Sequence, residues 1–328
     1  MENISWEDKQ LRLNSNSFTD SLDSIPGIMN QETGRGWTSP YLRGFTSQRT
    51  VLMVDGIRLN NAFLREGPNQ YWSLVDPFFF ENTEVMMGPA SILYGSDAVG
   101  GVVNAKSTSL TRGKKLSSWQ YLGGKTLFQY SSAEDSYSEY LDSEFMFSNK
   151  LSLKIGLTKQ NFGELVSGGG VHNENTNYDT YGGNLCGRYW FNNDESIYFG
   201  YDNYNINDLE RTQKTIYYES WRGEGADGDD LARTYDFEHQ LAFLRYEKEN
   251  GSVFLTGLEL GVYYRYLNEY YFRVRNDARF DKTDTAIDTF GLNLRMQIDS
   301  KFGLWTYGVT FLERLPAPGI LVLMRMVR

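Results

Sequence analysis

The sequence predicts an α+β domain followed by an incomplete antiparallel transmembrane β-barrel. Three observations predict it. Beyond about residue 118, runs of ten or more residues carry apolar side chains at every second position. Short turns and long polar loops alternate between those runs, as in barrels with short turns on one side of a membrane and long loops on the other. Aromatic residues make up 15% of the chain, with 23 Tyr and 20 Phe, which suits the aromatic girdles of such barrels.

The bulk numbers exclude several classes. Mean hydropathy is −0.50, and no apolar run approaches the roughly 18 residues a spanning helix needs. Net charge is −10 without a basic stripe, so no nucleic-acid partner is expected. A single cysteine, Cys186, excludes an internal disulfide framework, and two histidines with one cysteine make a zinc site improbable. No catalytic elbow, P-loop or H-E-x-x-H motif is present, so no enzyme activity, cofactor or resident metal is expected.

Residues 1–107 read as short β-like runs separated by Gly, Pro and Asn. Thr50–Val54 and Ile57–Leu59 flank Asp55-Gly56, a dipeptide suited to a tight turn. Gly88-Pro89 and Gly100-Gly101 punctuate the later part. Three blocks then stand in order: YLRGF at Tyr41–Phe45, VLMVDGIRLN at Val51–Asn60 and EVMMGPASILYGSDAVGGVVN at Glu84–Asn104. Together they resemble the plug domain of TonB-dependent outer-membrane receptors. SLDSIPGI at Ser21–Ile28 resembles that plug's short helix and Pro-Gly turn. Two positions depart from the family pattern: Met87 stands where an Arg is usual, and Thr83 where an Ile is common.

The resemblance implies a plug inside a large β-barrel in the outer membrane of a Gram-negative cell. The intact protein would take up a scarce solute such as a siderophore-iron chelate, haem or a corrinoid, energised by the TonB complex. Its partners would be TonB, that small-molecule or metal-chelate ligand, and outer-membrane lipid. Two plug loops, Gln31–Ser39 and Asn61–Tyr71, would face the ligand, with Arg35, Trp37, Asn61, Arg65, Asn69, Gln70 and Tyr71 as candidate contacts. Arginine suits anionic groups and aromatic rings suit planar faces. Arg43, Glu81 and Glu84 would pair plug with barrel.

The second part, residues 118–312, supplies the barrel. Leu151, Leu153, Ile155 and Leu157 alternate with Ser152, Lys154, Gly156 and Thr158. Leu258, Leu260, Val262, Tyr264 and Tyr266 share one face; Gly257, Glu259, Gly261 and Arg265 share the other. An apolar face opposite one rich in Gly and charge is the lipid-out, lumen-in pattern. About nine strands are expected, beginning near Trp119, Tyr137, Leu151, Thr180, Ser196, Tyr235, Val253, Thr285 and Gly303. Long loops are expected at Phe162–Tyr178, Asn207–Thr234 and Val274–Thr283.

Plugged outer-membrane transporters have about 22 strands, so about nine read as a truncated share of one. The N-terminus lacks the apolar core of a signal peptide, and the coupling box and first plug strand are expected to be missing. Residues 313–328 read as an aberrant tail, because Pro316 and Pro318 cannot serve a central strand. The rival expectation is therefore a non-functional truncated product or a soluble binding fragment. Asp227, Asp229 and Asp230 read as a solvated loop rather than a calcium site, His172 as a solvated loop residue, and His239 as structural.

Overall fold

In a computed structural model, residues 2–12, 17–32, 34, 36–60, 70–107, 110–112, 119–217, 228–249, 255–316 and 321–324 are described. Strands β1 (Glu2–Ser5), β4 (Thr50–Val54), β5 (Ile57–Arg58), β6 (Asn82–Met87) and β7 (Gly101–Lys106) form one sheet in the order β1-β6-β7-β4-β5. A small hairpin, β2 (Ile28–Glu32) with β3 (Thr38–Leu42), sits beside it. β4 and β7 run parallel; the remaining pairs are antiparallel. Residues 2–5 fill an edge of this sheet by pairing with β6.

Local chemistry accounts for the turns. Asp55 and Gly56 both have positive φ, 48° and 77°, and join β4 to β5 in two residues, as an Asp-Gly turn requires. The 3-10 turn Asp20–Ser24 runs into Pro26-Gly27, with Gly27 at φ 90°. Asn60 holds the β4–β5 hairpin to itself: its Oδ1 accepts from the Leu52 N–H at 2.9 Å and its Nδ2 donates to the Thr50 carbonyl at 2.6 Å. Phe18, Leu22, Leu52, Leu59, Val85 and Val103 close the core, each at 1% exposure or less.

Thr83, on β6, is an exception to that economy. Its side chain is fully buried, and its hydroxyl has no hydrogen-bond partner among the described residues. Leaving a buried hydroxyl unpaired is costly, so Thr83→Val is expected to stabilise the chain by about 1–2 kcal/mol. A higher urea midpoint at unchanged slope is the expected readout; an unchanged or lower midpoint overturns it.

The wall is one antiparallel sheet. Its segments are β8 (Trp119–Gly123), β9 (Thr126–Ser131), β10 (Ser136–Phe147), β11 (Leu151–Phe162), β14 (Tyr178–Trp190), β15 (Glu195–Glu210), β16 (Ala232–Glu249), β17 (Leu255–Val274), β18 (Phe280–Ser300), β19 (Gly303–Pro316) and β20 (Leu321–Met324). β8 and β9 both pair with β10, and β19 and β20 both pair with β18. The 11 segments therefore make nine strands, two of them interrupted. Among the described residues the sheet stays open, with β8/β9 and β19/β20 at its edges.

Three expectations need correction. Val274–Thr283 is a turn rather than a long loop, because β17 runs to Val274 and β18 starts at Phe280. The polar residues there belong to strands: Arg273 pairs in register with Asp281, and Arg275 bonds the Asp281 carboxylate at 2.7 Å. Polarity does not end a strand whose end stands in water. The tail is also partly strand. Pro316 lies on the sheet edge, where a missing N–H is tolerated, and Leu321–Met324 continue along β18. Of the other expected loops, Phe162–Tyr178 contains the hairpin β12 (Leu165–Ser167) with β13 (Val171–Asn173), which carries His172. Asp230 is not solvated: it is 1% exposed and bound by both Nε and Nη2 of Arg273, at 2.9 and 2.7 Å. Asp227 lies outside the described residues.

Register fixes the wall's two faces. Reading across β15 to β18, the outward rows are Ile197–Tyr246–Leu260–Leu294, Phe199–Leu244–Val262–Leu292 and Tyr201–Ala242–Tyr264–Phe290. Above them come Asn203–Gln240–Tyr266–Asp288 and Asn205–Glu238–Asn268–Ala286. The apolar band thus ends in a tier of tyrosines and gives way to polar rows toward the long-loop end. The alternate residues face the first domain and are buried against it: Tyr198, Asp202, Tyr204, Phe237, His239, Leu241, Tyr263, Arg265 and Leu267.

Candidate functional site

The sheet holds the first domain through three arginines on its inner face. Arg245 on β16 donates to the Asp55 carbonyl, Arg265 on β17 to the Leu59 carbonyl, and Arg314 on β19 to the Asn60 carbonyl at 2.7 Å. Their targets lie within six residues of the β4–β5 hairpin. Arginine suits this task because its fork carries several donors and keeps its charge. Arg265 is 3% exposed and also donates to His239 Nε2 at 3.1 Å. Arg245 is balanced by Glu247 at 3.7 Å and Glu259 at 3.5 Å; Glu247 also takes Arg188, and Glu259 takes Arg295. The sequence showed arginines on the small, polar face of alternating strands. It could not show which backbone carbonyls they reach.

The Asp55 side chain strengthens the same contact. Its carboxylate accepts from the Ser107 N–H at 3.0 Å, the Ser107 hydroxyl at 2.6 Å and the Tyr198 hydroxyl at 3.4 Å. Burial nonetheless pushes its pKa up.

A second contact lies under the Asp76–Phe80 segment. Asp76 accepts from its neighbour's Phe78 N–H at 2.7 Å and from the Thr158 hydroxyl of the wall at 2.9 Å. Lys9 reaches in from the N-terminal turn and donates to the Phe80 carbonyl at 2.5 Å. Burial dominates both groups, lowering the Lys9 pKa to about 7 and raising that of Asp76 to about 7. Phe78 stacks on Tyr140 of the wall at 5.5 Å between centroids, and Trp6 caps the pair while donating to the Phe78 carbonyl at 3.0 Å.

The three residues expected to pair the two parts separate here. Glu81 reaches the wall, 3.7 Å from both Lys125 and Lys154. Glu84 stays within its own domain, 2.6 Å from Lys106 on the neighbouring strand, because strand register places Asn104 opposite and Lys106 diagonally across. Arg43 is exposed in a positive-φ turn, bonded through its backbone N–H to the Gly27 carbonyl, and makes no ion pair among the described residues.

At the long-loop end, Trp37 is 2% exposed. Tyr235 meets it edge-on at 4.6 Å, Phe237 at 5.4 Å, and the Arg211 guanidinium stands 5.8 Å from its ring; its Nε1 donates to the Glu210 carbonyl at 3.3 Å. In this arrangement the ring anchors one domain to the other. Gln70 and Tyr71 begin the 3-10 turn Gln70–Leu74, with only their backbones described. Arg35, Asn61, Arg65 and Asn69 lie outside the described residues.

The geometry defines a class first: a small domain seated in the lumen of an outer-membrane β-barrel wall. Residues 2–102 match the TonB-dependent Receptor Plug Domain family. Vitamin B12 transporter BtuB of Vibrio vulnificus (strain YJ016) is 36% identical over 106 residues, covering 32% of this chain and 17% of the relative. The iron-regulated outer membrane virulence protein of Vibrio cholerae (strain ATCC 39315) is 41% identical over 106 residues, 31% of this chain and 16% of the relative. Among solved structures, Copper transporter OprC superposes with a TM-score of 0.79 at 17% identity, over 97% of this chain and 47% of that one. The FrpB iron transporter from Neisseria meningitidis gives 0.77 at 16% identity, over 96% and 48%. The chain thus spans about half the length of these structures. Residues 2–102 thus match a TonB-dependent receptor plug domain, and the strands that follow share the fold of the first part of such receptors' barrels.

Proposed function

We propose that the whole protein binds a scarce solute at its long-loop face and takes it up with energy from TonB. The solute class is a siderophore-iron chelate, haem, a corrinoid or a similar compound. Residues 1–107 act as the plug and 118–312 as barrel wall. The observation that carries this reading is the clamp of Arg245, Arg265 and Arg314 on the Asp55–Asn60 hairpin. It adds reversible, charge-assisted contacts to the buried hydrophobic cluster that plug and wall share. Such a seat can be held at rest and released under load.

The ligand-facing residues of this proposal are Arg35, Trp37, Asn61, Arg65, Asn69, Gln70 and Tyr71. With the Trp37 ring seated on Tyr235 and Phe237, ligand contact would fall to its neighbours unless the loop moves. The test is uptake of radiolabelled ferric chelate, haem and corrinoid by cells expressing the whole receptor, with and without a working TonB. Accumulation of one of them only in TonB-competent cells is the expected result. Equal accumulation in both, or none of any, rejects the reading.

A further inference from the structure

On the inner face of the wall, one row across four strands carries no apolar side chain. Register sets Asp142 on β10, Gly156 on β11, Asn184 on β14 and Asp202 on β15 side by side. Asp142 is satisfied: Lys154 stands 3.0 Å away, and the Tyr140 hydroxyl and Lys125 N–H donate to it at 2.6 and 2.8 Å. Its two neighbours are not. Asp202 and Asn184 are 8% and 5% exposed, and Asp202 Oδ2 and Asn184 Oδ1 have no hydrogen-bond partner among the described residues. Buried acceptors left unpaired are costly, and a wall that only seats the plug could carry apolar side chains here. Their polarity fits a second state in which the row is wet.

Residues 76–81 of the plug cover this row. They descend along β11 and β14: Asp76 bonds Thr158 and stands over Gly182, Phe79 lies over Gly156, and Glu81 reaches Lys154. The glycines make room, since a side chain at Gly182 would begin 3.2 Å from Asp76 Oδ2. Three buried side chains near the start of the chain hook the same segment. Gln10 Nε2 donates to the Pro77 carbonyl at 3.2 Å, Trp6 Nε1 to the Phe78 carbonyl at 3.0 Å, and Lys9 to the Phe80 carbonyl at 2.5 Å. We propose that the row from Asp142 to Asp202 is an internal solute site, shut by this hook and opened when Trp6, Lys9 and Gln10 withdraw. With Asp142 neutralised by Lys154, Asp202 sets the sign of the row. It therefore takes a cationic solute, or a neutral one rich in hydroxyl or amide groups, and repels an anion. This inference rests on the uptake reading and adds where the solute passes and which charge suits it there.

The chain's single cysteine reports on the site, because Cys186 lies two residues from Asn184 on the same face, opposite Lys154, and is 3% exposed. The test labels the full chain in detergent with a cationic and an anionic methanethiosulfonate, each rate divided by that of the same reagent with a free thiol. Cys186 of the unaltered chain is expected to resist both. Trp6→Phe with Gln10→Leu removes two donors and keeps the bulk, and should speed labelling about tenfold or more. The cationic reagent should lead by about tenfold, and adding Asp202→Asn should erase that lead. Fast labelling of the unaltered chain, or no gain in the double variant, overturns the hook. Equal rates for the two reagents, or a lead that survives Asp202→Asn, overturns the assigned charge. Val103→Cys in a Cys186→Ser background probes the fully buried plug sheet and should stay unlabelled in the double variant. If it is labelled as fast as Cys186, the plug has come apart as a whole and the hook assignment fails. None of these rates needs TonB or transport. Absent uptake with the labelling pattern intact rejects the function and keeps the site, and the reverse result rejects the site alone.

Discussion

Arg265→Met is expected to loosen the plug from the wall by about 3 kcal/mol, the cost of stripping charged hydrogen bonds from buried acceptors. The native guanidinium, 3% exposed, joins two plug segments through one side chain and its neighbour. It donates to the Leu59 carbonyl and to His239 Nε2, while the imidazole contacts the Leu74 backbone. Methionine fills the volume and leaves both acceptors dry. Arg265→Lys should lose less, because a single ammonium keeps the charge but cannot reproduce the fork toward both acceptors. Protease protection of the plug, read against unfolding of the wall, separates the two contributions. Faster plug cleavage in Arg265→Met, with an intermediate rate for Arg265→Lys, is the expected order. If both variants are cleaved at the unaltered rate, the clamp does not hold the plug.

The second large effect is on the pH dependence of stability. Asp76 binds its proton more tightly when folded, at about 7 against an ordinary 3.8. Between those values the folded chain holds a proton that the unfolded chain has lost. Its contribution is therefore full below about pH 4 and disappears as pH rises to about 7. Lys9 behaves in the opposite sense, at about 7 against an ordinary 10.5. Its contribution is full above about pH 10.5 and disappears as pH falls to about 7. Each limb is worth roughly 4–5 kcal/mol at about 1.4 kcal/mol per tenfold. The pair together places a stability minimum near neutral pH, where both groups are half charged in a buried contact. Other groups also titrate, so the measurement is a difference. Stability of the unaltered chain relative to Asp76→Asn should fall between pH 4 and 7. Relative to Lys9→Met it should rise between pH 7 and 10. Flat differences across those windows mean the two side chains are hydrated, and the buried-pair account fails.

Under the proposed uptake function, such a contact would suit a plug that leaves its seat. Lys9 lies a few residues beyond β1, an edge strand on β6 whose Ile4 is buried in the core. Under that proposal, withdrawing the strand would carry Lys9 away from the Asp76–Phe80 segment and remove a cation whose charge acts on Asp76. A buried unpaired charge is strongly unfavourable, so losing Lys9 would favour entry of water along Thr158 and the wall.

The sequence alone determined a good deal. Period-two alternation fixed which residues of each wall strand face lipid and which face the lumen, because successive side chains must point to opposite faces. It also placed the nine strand starts to within a few residues, and the ordered blocks at Tyr41–Phe45, Val51–Asn60 and Glu84–Asn104 identified the plug. Asp55-Gly56 announced its turn because so few residues accept two successive positive φ angles. Strand ends were less legible: Arg273, Arg275 and Asp281 look like loop in sequence but zip a hairpin, since water tolerates polar strands. Only the tertiary structure decided which charges meet. It sent Glu81 to Lys125 and Lys154 but kept Glu84 on Lys106, buried Trp37 between Tyr235 and Phe237, and aimed Arg245, Arg265 and Arg314 at backbone carbonyls. The physical reason is range. A strand's face is set by its own pleat within two residues, whereas a plug–wall contact joins residues up to 254 apart and depends on how two surfaces dock.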